Sequence, residues 1–249
     1  MSNSKLVSYT KLSPNHSGKR NHKIDTVSIH CMAGNLSVEG CGALFAKSST
    51  QASSNYGIGS DGRIALYVDE ANRSWCTSSA SNDNRAVTIE VANTTAGEPY
   101  PCTQQAYNAL IKLLADICRR NGIKKLLWKA DPSLIGQVDK QNMTVHRWFA
   151  AKSCPGEWLY QRHGQIAAEV NEILEDENMD LKTFKALYEQ MKKEWQDNDA
   201  AAYSKEARDW AVKSGLIQGG SGGKYMWEDT LTREQMVTIL YRFVQLMGK

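Results

Sequence analysis

The sequence lacks the features that would place the protein in a membrane or on a nucleic acid. Its 249 residues contain no apolar run of transmembrane length. The first eight residues, MSNSKLVS, lack the apolar segment of a signal peptide, so we expect synthesis in the cytoplasm and no membrane partner. The net charge of +3 is small and the basic residues are scattered, which argues against a nucleic-acid partner.

The sequence also has few cysteines, and they form no recognisable framework. The six are Cys31, Cys41, Cys76, Cys102, Cys118 and Cys154. No two of them form a CxxC pair and their spacing is wide, so we expect a reduced chain rather than a set of disulfides. Most are expected to be small buried apolar residues. Cys154 is the exception, because its neighbours suggest a chemical role.

What is present is the pattern of an α/β domain. Residues 23–30 and 86–92 alternate and are rich in β-branched side chains, which is typical of strands. Residues 55–68 predict a hairpin, because an Asp-Gly turn supplies the positive φ that such a turn needs. Thr103 and Gly122 are start and stop signals for a helix between them. Strands that alternate with helices predict an α/β fold in which helices cover a sheet.

A charged segment near the end divides the chain. Residues 175–180 read Glu-Asp-Glu-Asn-Met-Asp and contain no side chain suited to a core. We therefore place one domain at 1–175, a linker at 176–180 and a small module at 181–249.

The small module is predicted to be all α. Apolar residues fall at helical spacing at Leu181, Phe184, Leu187, Tyr188, Met191 and Trp195. Two more helices are predicted at about 204–214 and 232–246, joined by a glycine-rich turn. Short helices over about 70 residues bury little surface, so the module is expected to need docking or dimerisation. Its tryptophans, Trp195, Trp210 and Trp227, are expected to form its core rather than platforms for sugars.

Two histidines and a cysteine suggest a metal site. His30 ends a predicted strand, and His146 and Cys154 lie far downstream. These are the ligand types of a zinc site that leaves one position open for water. Pro155 suits the first position of a helix, which would make Cys154 its cap and favour the thiolate that binds metal. The set points toward metal-assisted hydrolysis.

Five short segments, taken in order, resemble one family. They are Val27–His30, Asn55–Ile58, Ser60–Ile64, Thr88–Val91 and the stretch from His146 to Gly156. Together they resemble the zinc-dependent N-acetylmuramoyl-L-alanine amidases, a group that includes phage lysozyme-amidases and peptidoglycan recognition proteins. The resemblance covers about residues 20–175 and implies a mixed β-sheet with helices on its faces.

The resemblance also implies a metal site and a set of catalytic groups. One zinc ion would be held by two histidines and a cysteine: His30, His146 and Cys154. Glu90 matches a strand glutamate that assists catalysis, Tyr56 a tyrosine implicated in catalysis in other members, and Lys152 a lysine beside the metal. The implied substrate is peptidoglycan, cut at the amide bond between N-acetylmuramic acid and L-alanine.

The same residues have plainer explanations. Glu90 would also suit a paired structural carboxylate, Lys152 a solvated side chain and Tyr56 a core residue with its hydroxyl at a partner. His163 is expected at the surface rather than at the metal. The chain also departs from the family, because Cys76 follows Trp75 where members often carry a histidine that contacts substrate.

The end of the chain resembles a second family. Residues 207–220 and 231–236 are similar to an S-layer homology repeat. Such repeats commonly bind secondary polymers of Gram-positive cell walls, which makes a wall polymer an expected partner. One repeat is visible where three usually act together, so a homodimerisation unit is the alternative.

These resemblances lead to one hypothesis and two rivals. The hypothesis is a phage or prophage endolysin that accumulates in the cytoplasm and reaches the wall through phage-made holin openings. The first rival is a peptidoglycan-binding module that does not cut, although the intact ligand set argues against it. The second rival is a peptidase that cuts within the stem peptide. The new amino termini that appear in digested walls distinguish the two enzymes.

Overall fold

The computed structural model describes residues 2–176, 181–194 and 200–248. The chain forms two compact units, Met1–Asn178 and Met179–Lys249. Most of the predicted linker at 176–180 lies outside the described residues. Within the described residues, no helix combines the length and the apolar character that a bilayer span requires.

A mixed sheet forms the centre of the first unit. The strands are β1 Tyr9–Thr10, β2 His16–Lys19, β3 Thr26–Cys31, β4 Tyr56–Ile58, β5 Ile64–Leu66, β6 Asn72–Ser74, β7 Ala86–Val91 and β8 Met143–Thr144. Six of them form one sheet in the order β1-β5-β4-β7-β3-β8. β4 and β5 are antiparallel, as the predicted hairpin requires, and the other pairs are parallel. β2 and β6 form a separate antiparallel pair. The predicted α/β fold with a mixed sheet is confirmed.

Helices cover the sheet on both faces. Those of the first unit are α1 Val38–Phe45, α2 Ala80–Arg85, α3 Gln104–Asn121 and α4 Glu157–Asp176. α3 and α4 pack together over one face, where side chains of β3, β4 and β7 join them in the main core. α1 packs against the other face near β5, with Val38 on Tyr67. A closed core of this kind fixes the strand ends that carry the site.

α3 has the limits that its sequence signals predict. The Thr103 hydroxyl accepts a hydrogen bond from the backbone N of Ala106 at 3.1 Å, and Gly122 ends the helix at φ 70°. Its apolar side chains Leu110 and Leu114 are fully buried. Burial of such a side chain stabilises the fold by about 1.5–3 kcal/mol.

α4 begins later than predicted. Its first residue is Glu157, and the preceding Gly156 has φ 81°, so Pro155 is not the first helical residue. Glu98 and Pro99 satisfy the helix N-terminus instead. The Glu98 Oε2 accepts from the backbone N of Glu157 at 2.9 Å, and the Pro99 carbonyl accepts from the N of Trp158 at 2.9 Å. The prediction that Cys154 caps the helix is therefore wrong.

The apolar residues 126–128 form no strand. Oxygen atoms of side-chain amides accept the backbone hydrogen bonds that a neighbouring strand would otherwise accept. The backbone N of Leu126 donates to Asn171 Oδ1 at 2.7 Å, and the N of Leu127 donates to Asn142 Oδ1 at 2.8 Å. The apolar run is thus anchored to α4 and to the segment before β8 rather than to the sheet.

The second unit consists of short helices. They are α5 Leu181–Glu194, α6 Lys205–Lys213 and α7 Arg233–Met247, in agreement with the predicted spans to within one residue for α6 and α7. Thr232 and Gln235 form a reciprocal capping box at the start of α7. The apolar residues are less covered than predicted. Phe184 on α5 is 54% exposed and Trp210 on α6 is 54% exposed. Trp210 is therefore not a core residue, and Trp195 lies outside the described residues.

Candidate metal centre and active site

Two side chains meet at the carboxyl ends of the central strands. His30 on β3 and Glu90 on β7 are register partners in a parallel pair, so both project from the same face of the sheet. Their neighbours Ile29 and Ile89 project from the other face into the core beneath α3. His30 is fully buried and Glu90 is half-buried. The period of the strands thus places an imidazole beside a carboxylate.

The loop after β8 brings two more groups to this point. His146 begins a short 3-10 turn, and its ring centroid lies 5.3 Å from that of His30. The Sγ atom of Cys154 lies 3.3 Å from Nδ1 of His30. Ligand atoms of these three residues all lie within 4.8 Å of one another. The structure therefore brings the three residues predicted as zinc ligands into one cluster.

Ser28 fixes the orientation of the His30 ring. The Ser28 hydroxyl donates to the carbonyl of Thr144 at 3.1 Å, and its oxygen lies 3.1 Å from Nε2 of His30. Because the hydroxyl proton is committed to Thr144, Ser28 accepts the proton of Nε2. The lone pair of His30 is then on Nδ1, the nitrogen that faces Cys154. A hydrogen bond of this kind is the usual support of a metal-binding histidine.

Both histidines are held in the neutral form. Burial, with smaller contributions from charge on His146 and His163, lowers the pKa of His30 to about 3. Burial, followed by the charge of Lys152, lowers the pKa of His146. Nε2 of His146 lies 2.9 Å from the hydroxyl of Ser78, a residue with φ 62°. Neutral imidazoles are the form that binds metal ions.

Cys154 carries a thiol that shares a hydrogen bond with Cys31. This hydrogen bond and then burial raise the pKa of Cys154 well above its ordinary value. The outcome is opposite to the thiolate predicted from a helix N-terminus, and α4 begins only at Glu157, three residues after Cys154. A metal ion must therefore displace the thiol proton when it binds.

The two carboxylate oxygens of Glu90 differ in their hydrogen bonding. The Cys76 thiol donates to Oε1 at 3.9 Å, whereas Oε2 is buried and has no hydrogen-bond partner among the residues that the structure describes. Burial, followed by charge on Cys31, raises the pKa of Glu90 well above its ordinary value. Oε2 is thus a buried acceptor that a proton, a water or a cation would satisfy.

A pocket of about 370 Å³ opens beside His146. Its lining includes Trp75, Cys76, Ser78, Asp83, His146, Arg73 and Lys152. Lys152 is exposed at its rim, so the structure places this predicted residue next to the cluster, and Arg73 adds a second positive charge there. The indole of Trp75 donates to the hydroxyl of Ser17 at 2.6 Å, which fixes the ring.

Tyr56 is not brought to the cluster. It pairs with Ile89 in the sheet, so its side chain leaves the face opposite to that of Glu90. Its hydroxyl donates to Oε1 of Glu70 at 2.7 Å and accepts from the backbone N of Ser4 at 2.8 Å. The β4 residue beside Glu90 is Gly57, where a Cβ atom would meet the Tyr67 ring at 2.3 Å. The placement matches the core role that was the alternative for Tyr56.

His163 is not at the surface as predicted. It is fully buried in α4, and its Nδ1 donates to the carbonyl of Leu159 at 2.7 Å. The Trp128 ring lies 4.5 Å from it, centroid to centroid. Burial lowers the pKa of His163 to about 4. It lies outside the groups of residues whose ligand atoms converge, so its role is in the core.

The cluster fits a zinc ion. Zinc accepts nitrogen and sulfur ligands in tetrahedral sites, and catalytic zinc has three protein ligands and an open fourth position. Two neutral imidazoles and one thiol supply three such donors, and a carboxylate oxygen of Glu90 lies within 4.8 Å of a ligand atom of His30. The described residues therefore offer what a catalytic zinc requires.

The profile of one family matches more than half of the chain. Residues 20–157 match the N-acetylmuramoyl-L-alanine amidase family. The chain belongs to this family. The matched region contains β3, β7 and the segment from His146 to Cys154, and so includes the whole cluster. Among curated proteins, none matches the chain.

Three solved structures illustrate the similarity of the fold. A selenomethionine derivative of AmpD is 18% identical, with 66% of this chain and 96% of that chain covered at a TM-score of 0.49. The endolysin amidase LysCS from Clostridium intestinale is 14% identical, with 66% and 97% covered at 0.46. Drosophila peptidoglycan recognition protein SA is 15% identical, with 63% and 90% covered at 0.46.

Sequence reasoning missed the residues that support this amidase-family site. Ser28 orients His30 and Ser78 contacts His146, but neither was singled out. The signal for Ser28 was available, because it lies two residues before His30 on the same face of a predicted strand. For Ser78 there was none, since its contact spans a loop and a positive φ that no motif marks.

Proposed function

We propose that the protein is a zinc-dependent amidase that cuts peptidoglycan between N-acetylmuramic acid and L-alanine. The observation that carries the proposal is the cluster of His30, His146 and Cys154, with ligand atoms within 4.8 Å of one another, beside Glu90. Membership in the amidase family supports the reaction, and the donor set supports zinc.

The residues around the cluster suit amide hydrolysis. Zinc, when bound, would polarise the amide carbonyl and acidify a water. Oε2 of Glu90 takes the proton from the attacking water as the new C–O bond forms, and delivers it to the leaving nitrogen as the C–N bond breaks. Lys152 offsets the negative charge that develops on the carbonyl oxygen. Tyr56 has no part in this mechanism, because its side chain lies on the opposite face of the sheet and its hydroxyl is hydrogen-bonded to Glu70.

The pocket suits the proposed substrate. Arg73 and Lys152 place two positive charges at its rim, and the stem peptide of peptidoglycan carries carboxylates. Ion pairs at such a rim orient the peptide and favour its approach. Trp75, held by Ser17, offers an aromatic face of the kind that stacks on a sugar ring.

The proposal is tested by hydrolysis of purified Gram-positive cell walls. New amino termini are identified and new reducing ends are counted before chelation, after chelation and after zinc is restored. We expect N-terminal alanine that disappears with the chelator and returns with zinc, without new reducing ends. His146→Ala should lose both zinc and activity, whereas His22→Ala, which removes an exposed histidine, should keep both.

Each rival predicts a different result in the same assay. A recognition module binds walls in every state and releases no product. A stem-peptide peptidase releases an amino terminus other than that of L-alanine. Either result would overturn the proposed reaction.

We further propose that the second unit binds a secondary cell-wall polymer. The rings of Tyr225 and Trp227 stack at 5.2 Å, and the guanidinium of Arg208 lies 5.6 Å from the Trp227 centroid. Aromatic faces next to a cation suit an anionic glycan. Trp227→Ala in the full chain should weaken sedimentation with walls, whereas Tyr203→Ala, at a 93% exposed ring, should not. Equal sedimentation on walls stripped of the polymer would contradict this proposal.

We also propose that the protein acts as a phage lysin released through holin openings. The support is the combination of an amidase-family unit with a second unit suited to wall attachment. Expression in a Gram-positive host should cause lysis when a holin is co-expressed. Lysis of equal rate without the holin would contradict this route.

A further inference from the structure

α7 carries an apolar face that the described residues of its own unit do not cover. Val237, Leu240, Val244 and Met247 recur along α7 at the spacing of the a and d positions of a coiled coil. They are 65%, 56%, 63% and 73% exposed. We call these four residues the α7 stripe. A helix normally buries such a stripe against another element.

The borders of the α7 stripe are apolar as well. Met236 and Phe243 lie on one side and Tyr241 on the other, and all three are exposed. Coiled coils usually carry charged residues at these bordering positions. Between residues 236 and 247 the sequence contains one charged residue, Arg242. Arg242 contacts Leu216 and Gln218 within its own unit, so it does not mark the stripe.

The exposed apolar side chains of α7 are contiguous. The four residues of the stripe and the three at its borders are each between 41% and 73% exposed on one copy. α5 leaves further apolar side chains exposed in the same unit, at Phe184 and Leu187. Large contiguous apolar patches on a soluble protein usually mark a site of interaction.

We propose that a second copy of this chain covers the α7 stripe, so that α7 packs against α7. The face is self-complementary, because two identical uncharged apolar faces meet without placing like charges together. The proposal concerns the second unit alone and does not depend on the proposed hydrolysis.

A lipid surface fits α7 less well than a second copy does. Helices that lie on membranes carry Lys and Arg on the polar face, which attract anionic headgroups. The polar positions of α7 are Arg233, Glu234, Gln235, Thr238, Arg242 and Gln245. Two arginines and one glutamate leave a net charge of only +1, so electrostatic attraction of this face to an anionic bilayer is weak.

Self-association would change how the protein holds a wall. Two copies joined through α7 would carry two polymer-binding units and two amidase units. A second attachment from one particle is intramolecular, so apparent affinity for a wall rises without a new contact.

The test is the mass of the full chain in solution, measured by sedimentation at several micromolar concentrations. We expect a dimer or a larger symmetric assembly. Leu240→Glu with Val244→Glu should weaken association by about 100-fold or more, because each copy would bury unpaired carboxylates. Leu12→Glu is the matched control, since Leu12 is 54% exposed in the first unit and should leave the mass unchanged.

Three results would overturn the proposal. The first is a wild-type chain that remains a monomer throughout the concentration range. The second is an α7 double variant that associates as strongly as the wild type. The third is a monomer that floats with vesicles of anionic phospholipid, which would assign the stripe to lipid. Both substitutions lie at exposed positions, and an unchanged circular dichroism spectrum verifies that the variant is folded.

Discussion

The two units of the chain cover their apolar side chains to very different extents. In the first unit Leu110 and Leu114 on α3 are fully buried between a sheet and another helix. In the second unit Leu240 and Val244 on α7 are more than half exposed. Both helices have amphipathic spacing. The spacing thus shows that a face is suited to burial, but not whether the same chain provides the cover.

The difference follows from what each unit has available to pack. A mixed sheet offers two broad faces, and helices on both sides convert it into a closed core. In the described part of the second unit, three short α-helices without a sheet offer narrow apolar stripes and little area to bury, and small units of this kind often rely on a partner. It is the closed unit that fixes His30 and Glu90 on adjacent strands.

The largest predicted difference between the two units is in catalysis, which we assign to the first unit alone. Glu90→Gln should lower cell-wall hydrolysis by about 10²–10⁴-fold, because the amide cannot carry the proton. Bound zinc, measured by metal analysis, and wall sedimentation should be unchanged. Glu172→Gln removes an exposed carboxylate of α4 and should have no effect. Activity retained in Glu90→Gln would remove this residue from the mechanism.

A matched pair of substitutions tests the packing itself. Leu110→Ala should cost about 2–5 kcal/mol of unfolding free energy, because it leaves a cavity in a closed core. Leu240→Ala should change the stability of an isolated copy by less than about 0.5 kcal/mol, since this side chain is mostly exposed. Urea denaturation at low protein concentration measures both. Equal costs would break the comparison and show that α7 is covered within one copy.

The pH dependence of stability should also differ between the units. Burial lowers the pKa of His30 to about 3 and that of His163 to about 4, from 6.5. Below pH 6.5 the unfolded chain therefore binds protons that the folded chain does not. The stability that these two neutral histidines contribute is complete above pH 6.5 and falls as the pH drops toward 4, by about 1.4 kcal/mol per pH unit and per histidine. All five histidines precede residue 176, so the second unit lacks this effect.

Region-resolved hydrogen exchange on the chelated full chain measures that difference. Protection of β3 and α4 should fall between pH 6.5 and 5, while protection of α7, corrected for intrinsic exchange rates, should stay constant. His163→Gln should reduce the slope, and His22→Gln, which replaces an exposed histidine, is the matched control. The same slope in both units would show that burial of histidine is not its cause.

Much of the first unit could be predicted because its signals are local. The hairpin, the strand before His30 and the limits of α3 follow from turn residues, alternation and caps. Spacing and family resemblance singled out His30, His146 and Cys154, and the fold brings them within reach of one another. The predictions that were wrong depended on which face of a strand or helix a side chain occupies. Tyr56 lies one position from the β4 residue beside Glu90, and a shift of one residue changes the face.

The burial of His163 was open to prediction but was missed. It lies four residues after Leu159 and three before Ile166, both fully buried, so the helical period places it on the inner face of α4. The prediction relied on the polarity of histidine rather than on the position of His163 in the helical period. In the second unit the prediction of a core was wrong for the opposite reason. The helical period of Phe184 and Leu187 was recognised, but the described helices of their own unit leave both at least half exposed.

The smallest predicted effect compares glycines in the two units. At Gly156, with φ 81°, a Cβ atom would lie 2.9 Å from the Pro99 carbonyl and 2.7 Å from Cβ of Tyr100. Gly156→Ala should therefore cost about 1–2 kcal/mol, from both the backbone conformation and the contact. Zinc affinity should also fall, because Cys154 lies two residues away.

Two further glycines separate these causes. Gly222 in the second unit has the same φ of 81° but nothing within 4 Å, so its change to Ala should cost about 1 kcal/mol from the backbone alone. Gly164 lies inside α4, where a Cβ atom would make an ordinary contact with Trp128 at 3.8 Å. Gly164→Ala should stabilise by up to about 1 kcal/mol through helix propensity. Thermal denaturation ranks the stabilities of the three variants. If Gly156→Ala destabilises the protein no more than Gly222→Ala does, the loop at Pro99 must move to accommodate the new Cβ atom. Close packing would then not extend to the turn beside Cys154.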